Sequence, residues 1–239
     1  MGVGDGRRLV EALAEIATLA AEPFDVELLH VAAERVCQVL AVDGVSILVS
    51  LDGAGLAWAL PAIGVPGLED VVLDADGPCQ EVLRKGEAAS FSIDDEDDER
   101  FPSFAARCRS LGVTAALAVP LRHRDRTIGV LLIARSGRRH FLSHTVADAR
   151  RFADVIAAGL VREHAHRMQR AVNEQLQHAL DARVVVEQAK GMIAADLNVG
   201  VDVALEKLRR FARSHQLKLH EVAADVVSRT LSAEILRAS

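Results

Sequence analysis

Tyrosine is missing from this 239-residue chain, tryptophan occurs once, and aromatic residues make up 3% of the whole. Little ring surface is therefore available for packing or for stacking flat ligands. Cysteine is scarce too. Cys37, Cys79 and Cys108 are an odd number without CxxC spacing, which argues against a disulfide framework or a structural zinc site and fits a reducing compartment. No apolar run approaches the ~20 residues that span a bilayer. Asp5 and Glu11 stand where a secretory leader needs a basic region followed by an apolar one. The expectation is a soluble, cytoplasmic protein with no membrane partner. No nucleophile elbow, phosphate-cradling glycine loop or HExxH is present, and the glycines of ValGlyAspGly (3–6) fall at a terminus expected to be unstructured. No catalytic residue is assigned, and the chain is expected not to be an enzyme.

Metal sites fare no better. His140 and His144 are spaced i, i+4, but a helix beginning after Leu142 breaks their shared face and no third ligand accompanies them. The acidic run AspAspGluAspAspGlu (94–99) cannot aim consecutive carboxylates at one ion, so it reads as a solvated loop. Cys79 and Cys108 are candidates for thiol sensing or tetrapyrrole attachment, yet small buried cysteines are the simpler reading.

Half of the residues are apolar, enough for a sizeable core in one large or two modest domains. Helical periodicity covers Arg8–Ala20 and Val26–Val42. Residues 44–51 and 55–60 read as strands joined at AspGlyAlaGly, a hairpin. A short helix over Pro78–Lys85, a strand over Ala88–Ile93 and a helix over Pro102–Leu111 follow. ThrAlaAlaLeuAlaValProLeu (114–121) and ThrIleGlyValLeuLeuIleAla (127–134) then look like two central strands. This order predicts an α+β sandwich.

From Ser143 to about Ala195 neither proline nor a turn cluster occurs, so one helix of about 75 Å is possible at 1.5 Å per residue. Along it Ala165, Met168, Val172, Gln175, Ala179, Ala182 and Val186 keep the 3-4 spacing of a coiled-coil seam, although Gln175 is polar. Over 165–186 that spacing favours a dimer; upstream, Ala149, Ala153, Ile156 and Leu160 use another register, suited to packing on the preceding sheet.

The C-terminal quarter reads as three helices. Ala182, Val185, Val186, Ala189 and Ile193 share one face of the first, with Arg183, Glu187 and Lys190 opposite. Ala204, Leu205, Leu208, Phe211 and Ala212 form the stripe of the second, surrounded by Lys207, Arg209, Arg210 and Arg213. Leu219, Val222, Ala223, Val226, Val227 and Thr230 line the third. Breaks are expected at 198–200 and 214–218, and Asp202 suits a helix start. Residues 181–239 hold nine Lys or Arg and eight Asp or Glu, a net charge of +1, against −7 for residues 1–180. The bundle is no polycation, so any nucleic-acid contact must come from local placement of its cations.

Arg183 with GluGlnAlaLysGly (187–191), then Ala204, LeuArg (208–209), Ala212, Arg213 and LysLeu…ValAla…ValVal across 218–227, resembles an ANTAR domain. That family consists of bacterial RNA-binding antiterminators that recognise paired stem-loops in nascent transcripts. Leu205 stands where the family commonly has an aromatic, and Ile193 with Ala194 where a Leu-Met pair often ends the first helix. The resemblance implies RNA contact through Arg183, Lys190, Gly191, Lys207, Arg209, Arg210, Arg213 and Lys218. Arginine forks suit phosphates or splayed loop bases. With no tyrosine and no Phe or Trp on an exposed face, base stacking on rings is not expected to be the main mode. Gly191 serves either the approach of RNA backbone or tight helix packing.

Upstream, GlyProCys (77–79), AlaAlaSerPheSerIleAsp (88–94), Phe104 ahead of LeuGlyVal (111–113), and AlaValProLeu…IleGlyValLeu (118–131) resemble a GAF domain, a sensory module allied to PAS. Family members hold cyclic nucleotides, haem, bilins or small metabolites, and some bind nothing, so no cofactor is assigned and the effector is left as an unknown small molecule. The resulting plan is a GAF-like sensory domain over 1–142 with its closing helix to about 160. A connecting helix over 143–181, a candidate dimer coiled coil, follows, and then an ANTAR-like three-helix bundle over 182–239. The expected function is RNA-binding antitermination by a homodimer under GAF control. The alternative is a sensory dimer whose C-terminal helices bind another protein or DNA.

Overall fold

The computed structural model describes residues 3–19, 26–50, 58–59, 62–74, 76–93, 100–137 and 140–233. They fall into two compact units, Met1–His166 and Arg167–Ser239. In the first unit, α1 (Val3–Leu19) and α2 (Val26–Leu40) precede β1 (Gly44–Val49) and β2 (Trp58–Ala59). Then come α3 (Leu68–Val72), α4 (Pro78–Lys85), β3 (Ala89–Ser92), α5 (Pro102–Ser110), β4 (Ala115–His123) and β5 (Arg126–Arg135). One helix, α6 (Ser143–Leu197), runs without a break from the first unit into the second, where α7 (Val201–Ser214) and α8 (Leu219–Val227) follow it.

The five strands form an antiparallel sheet in the order β2-β1-β5-β4-β3. Because side chains alternate across a strand, an apolar strand buried on both faces feeds two cores at once. Val45, Ile47, Val49, Leu117, Val119, Leu121, Leu131 and Ile133 join α1, α2 and the start of α6 on one face. Leu48, Ala116, Ala118, Val130, Leu132 and Ala134 join α3, α4 and α5 on the other. The α6 stripe on the first face is Ala149, Phe152, Ala153, Ile156, Ala157 and Leu160, at helical 3-4 spacing.

Two residues of the β4–β5 hairpin explain its sequence. A Cβ on Gly129 would stand 2.3 Å from the Leu48 carbonyl oxygen and 2.9 Å from Leu121 Cδ1, so only glycine lets β5 approach β1 here. Pro120 faces Val130, but β3 pairs with β4 only as far as Ala118. The missing proline N–H therefore costs no bond to β3.

In the second unit the end of α6 packs Ala189, Ile193 and Leu197 against Ala204, Leu208, Phe211 and Ala212 of α7 and Val222, Ala223 and Val226 of α8. Both connections close with a residue in the left-handed region rather than a glycine. Asn198 has φ 52° and Gln216 has φ 55°. At each, the next amide reaches back five residues: Val199 N–H to the Ala194 carbonyl at 3.1 Å, and Leu217 N–H to the Ala212 carbonyl at 2.9 Å. These are Schellman closures, which satisfy carbonyls orphaned at a helix end.

Several expectations need correction. Residues Val3–Gly6 open α1 instead of forming an unstructured terminus. The short helix α3 was not foreseen, because five residues carry too little periodicity to read. Thr230 lies beyond α8 and is exposed, leaving Val226 as the last fully buried member of that stripe. The turn at 52–55 and the acidic run at 94–99 lie outside the described residues.

Replacing Gly129 with alanine forces a backbone contact apart. It is expected to destabilise the first unit by about 1–3 kcal/mol in urea denaturation.

Candidate nucleic-acid interface

Each cation expected to touch RNA is placed by the helix that carries it. On α6, Lys190 and Arg183 flank Glu187. Lys190 Nζ lies 2.5 Å from Glu187 Oε2, and its side chain is only 18% exposed, less solvated than its sequence position suggested. The hydrogen bond from Lys190 holds the Glu187 carboxyl below its usual range, with Arg183 adding a smaller push. On α7, Arg213 and Arg209 share Glu206 at 3.8 and 4.0 Å. At the start of α8, Lys218 Nζ is 3.8 Å from Glu221 Oε1, and Glu221 also accepts the Lys218 backbone N–H at 3.4 Å.

Five of the eight residues therefore stand in small mixed-charge groups. Lys190 pairs with Glu187, whose carboxyl also feels the charge of Arg183; Arg209 and Arg213 meet at Glu206, and Lys218 stands with Glu221. Lys207 is half-buried and Arg210 exposed. Exposed ion pairs of this kind contribute little to folding, ~0–1 kcal/mol each. A phosphate can replace the carboxylate at modest cost. Gly191 is exposed, and a Cβ built on it meets nothing within 4 Å. Packing among the described residues therefore makes no demand for glycine at this point.

One ring escaped the sequence reading. His215, exposed at the end of α7, stacks on Phe211 with ring centroids 4.0 Å apart and planes 24° from parallel. Its signal in the sequence is an i, i+4 pair of rings, Phe211 and His215, one of them an imidazole rather than a Phe, Tyr or Trp ring.

Upstream of this, residues Arg167–Asp181 of α6 are all exposed. Met168, Val172, Leu176 and Leu180 are 57%, 49%, 58% and 58% exposed. The apolar line thus runs through Leu176 and Leu180 beside the Gln175 and Ala179 of the expected seam.

In the sensory unit, Cys79 and Cys108 are fully buried among Phe91, Phe104 and Val82 between the sheet and α4 and α5. Burial pushes both thiols up to about 12, and the half-buried Cys37 to about 11. Such thiols are poor nucleophiles, which disfavours both thiol sensing and covalent tetrapyrrole attachment. A cavity of about 440 Å³ is lined by Asp43, Arg135, His144 and Asp148 among others. Arg135 is already committed there: its Nη2 donates to the Leu40 and Ala41 carbonyls at 3.1 and 3.2 Å, capping the end of α2. Among the described residues no cluster of His, Cys, Asp and Glu could hold a metal ion, and no helix is long and apolar enough to cross a membrane.

The GAF domain model matches residues 26–160, more than half of the chain. The chain belongs to the GAF family. Residues 174–227 match the ANTAR domain, so an RNA-binding module of the antitermination type follows a GAF sensory module. Solved structures agree on the fold of the first. The GAF domain of a phosphoenolpyruvate-protein phosphotransferase from Coxiella burnetii has a TM-score of 0.54 at 18% identity, covering 68% of this chain and 98% of that one. The corresponding Acinetobacter domain gives 0.52 at 15%, covering 69% and 97%. Free methionine-R-sulfoxide reductase from Neisseria meningitidis gives 0.53 at 17%, covering 70% and 95%. At these identities the likeness concerns fold alone. Comparison with curated protein sequences returned no match.

Native GAF-ANTAR protein is expected to leave Cys79 and Cys108 unlabelled by a disulfide reagent until denaturant is added. The buried thiols hold their protons to about 12, against 9.0 for ordinary ones. The native state therefore binds more protons than the unfolded one between these values, and stability falls as pH rises through that window. Denaturant midpoints measured across alkaline pH check the sign.

Proposed function

We propose that this GAF-ANTAR protein acts in the cytoplasm as a homodimer that binds paired RNA stem-loops in a nascent transcript. Holding the hairpin pair prevents a terminator from forming downstream, and an effector sensed by the GAF module sets how the two bundles are presented. The protein is a regulator rather than a catalyst. The observation that carries the reading is the ANTAR match over 174–227, together with Arg183, Arg209 and Arg213 on exposed helix faces.

Gly191 supports it independently. A glycine within a helix costs about 1 kcal/mol relative to alanine, and nothing in the described chain needs the space. Close approach of an outside backbone accounts for that cost. The dimer is supported by the exposed stretch Arg167–Asp181. A helical segment of about 15 residues is marginal in water without a packed face, and a second copy covers Met168, Val172, Leu176 and Leu180 with the same residues of its own.

Gel-shift or filter binding to a tandem-hairpin RNA over a salt series tests the reading. Lys190→Ala and Arg209→Ala are each expected to lower affinity about tenfold, ~1.4 kcal/mol, and to reduce the slope of log K against log salt by roughly 1. Equal, salt-insensitive binding by wild type and variants rules out RNA. Capture of duplex DNA in preference to hairpins favours a DNA regulator instead.

Gly191→Ala separates function from stability. It is expected to raise the bundle's stability by about 0.5–1 kcal/mol while weakening RNA binding. Leu176→Glu is expected to shift sedimentation from dimer to monomer, and an unchanged mass would remove the seam from the argument.

A further inference from the structure

The turn after α7 holds one ring in a fixed position at the surface. His215 follows the last helical residue, and the backbone is locked beyond it by Leu217 N–H to the Ala212 carbonyl at 2.9 Å and Gln216 N–H to the Arg213 carbonyl at 3.2 Å. The ring lies on Phe211, whose own ring is buried in the bundle core at 7% exposure. His215 Nδ1 is 3.0 Å from the Phe211 carbonyl oxygen and 3.0 Å from Ser214 Oγ. Ser214 Oγ donates to the same carbonyl at 3.0 Å, so ring, hydroxyl and carbonyl meet at one point. The plane of an exposed side chain is thereby set. Exposed histidines ordinarily keep their rotamer freedom, and this one gives it up without being buried.

We propose that His215 is a stacking platform for an unpaired base of the bound RNA, its outer face taking the base while Phe211 backs the inner face. The assignment rests on the RNA-binding reading above and names the chemistry that charge alone leaves out. Sequence-specific RNA recognition splays loop bases onto rings, histidine among them, and any base has a face to offer. Nε2, the ring's other nitrogen, can hydrogen-bond to a base edge or a 2′-hydroxyl. Arg213 and Lys218, on either side of His215 in the chain, are both exposed. Each sits 3.8 Å from a carboxylate, Glu206 and Glu221 respectively, a pairing that a phosphate can displace.

The test uses the full-length protein and a pool of paired hairpins with randomised loops. Bound members are recovered and remade with 2-aminopurine at successive loop positions. In wild type, one position should lose fluorescence on binding. His215→Ala should abolish that quench and weaken affinity about 5- to 150-fold, the span expected for one stacked base. His215→Phe, which keeps a ring on Phe211, should retain both. If His215→Ala binds and quenches as wild type does, the platform is wrong while RNA binding stands. If wild type recovers no RNA from the pool, the RNA reading itself fails and the platform with it. Thermal melting guards against misfolding: a His215→Phe variant that melts like wild type yet does not quench overturns the proposal.

Discussion

One helix has to satisfy three different surroundings in turn, and the molecule is organised by how α6 does so. Over its first turns Ala149, Phe152, Ala153, Ile156, Ala157 and Leu160 bury against the sheet and the two N-terminal helices. From Arg167 to Asp181 every residue is exposed. Further on, Val185, Val186, Ala189, Ile193 and Leu197 supply one wall of the three-helix core. Only the middle stretch lacks burial of its own. A helix there must be held by its two packed ends or by a partner, and it carries the exposed Met168, Val172, Leu176 and Leu180.

The sensory unit explains how a chain so poor in aromatics builds two cores. Strands buried on both faces let each apolar residue count, because successive side chains feed opposite layers. Small residues in the inner strands, Ala115, Ala116, Ala118 and Ala134, leave room for the few large ones available, among them Phe91, Phe104 and Phe152. Cys79 and Cys108 belong to this economy. They fill space between the sheet and its covering helices, and the burial that makes them good filler suppresses their chemistry. Residues that looked like sensor candidates by type are structural by environment.

Much of this was legible from residue spacing. The α4 boundaries follow from Pro78 at the helix start and Gly86 after it, and the β4–β5 hairpin from its alternating apolar run around Gly129. The breaks expected at 198–200 and 214–218 fall where α7 and α8 are set off, while the left-handed backbone at Asn198 and Gln216 left no signal in residue type. What escaped had physical causes. The five residues of α3 span little more than one turn, too short for a period to register. Sequence put Lys190 on a solvated face, whereas its stem is largely covered and its ammonium turned to Glu187. Spacing finds the face of a helix but not how far a long side chain lies down along it. Gln175 and Leu176 are both exposed, and a straight helix drifts against a 3.5-residue repeat, so neighbouring positions lie close to one another on the same side.

The charge pattern of the ANTAR unit bears on what kind of RNA binder it can be. A net charge of +1 across residues 181–239, with Glu187, Glu206 and Glu221 each beside one or two of the cations, gives little long-range attraction for RNA in general. Weak non-specific attraction is an advantage for a regulator that must ignore most transcripts. A ligand phosphate has to compete with these carboxylates for the cations, which favours discrimination by position over discrimination by total charge. The same reasoning makes uncharged contacts more important than the basic residues suggest. Two uncharged features stand out in this bundle: the open helix surface at Gly191, where a built Cβ meets nothing within 4 Å, and the ring of His215 stacked on Phe211. Where cations are locally neutralised, shape and stacking have to carry the selectivity.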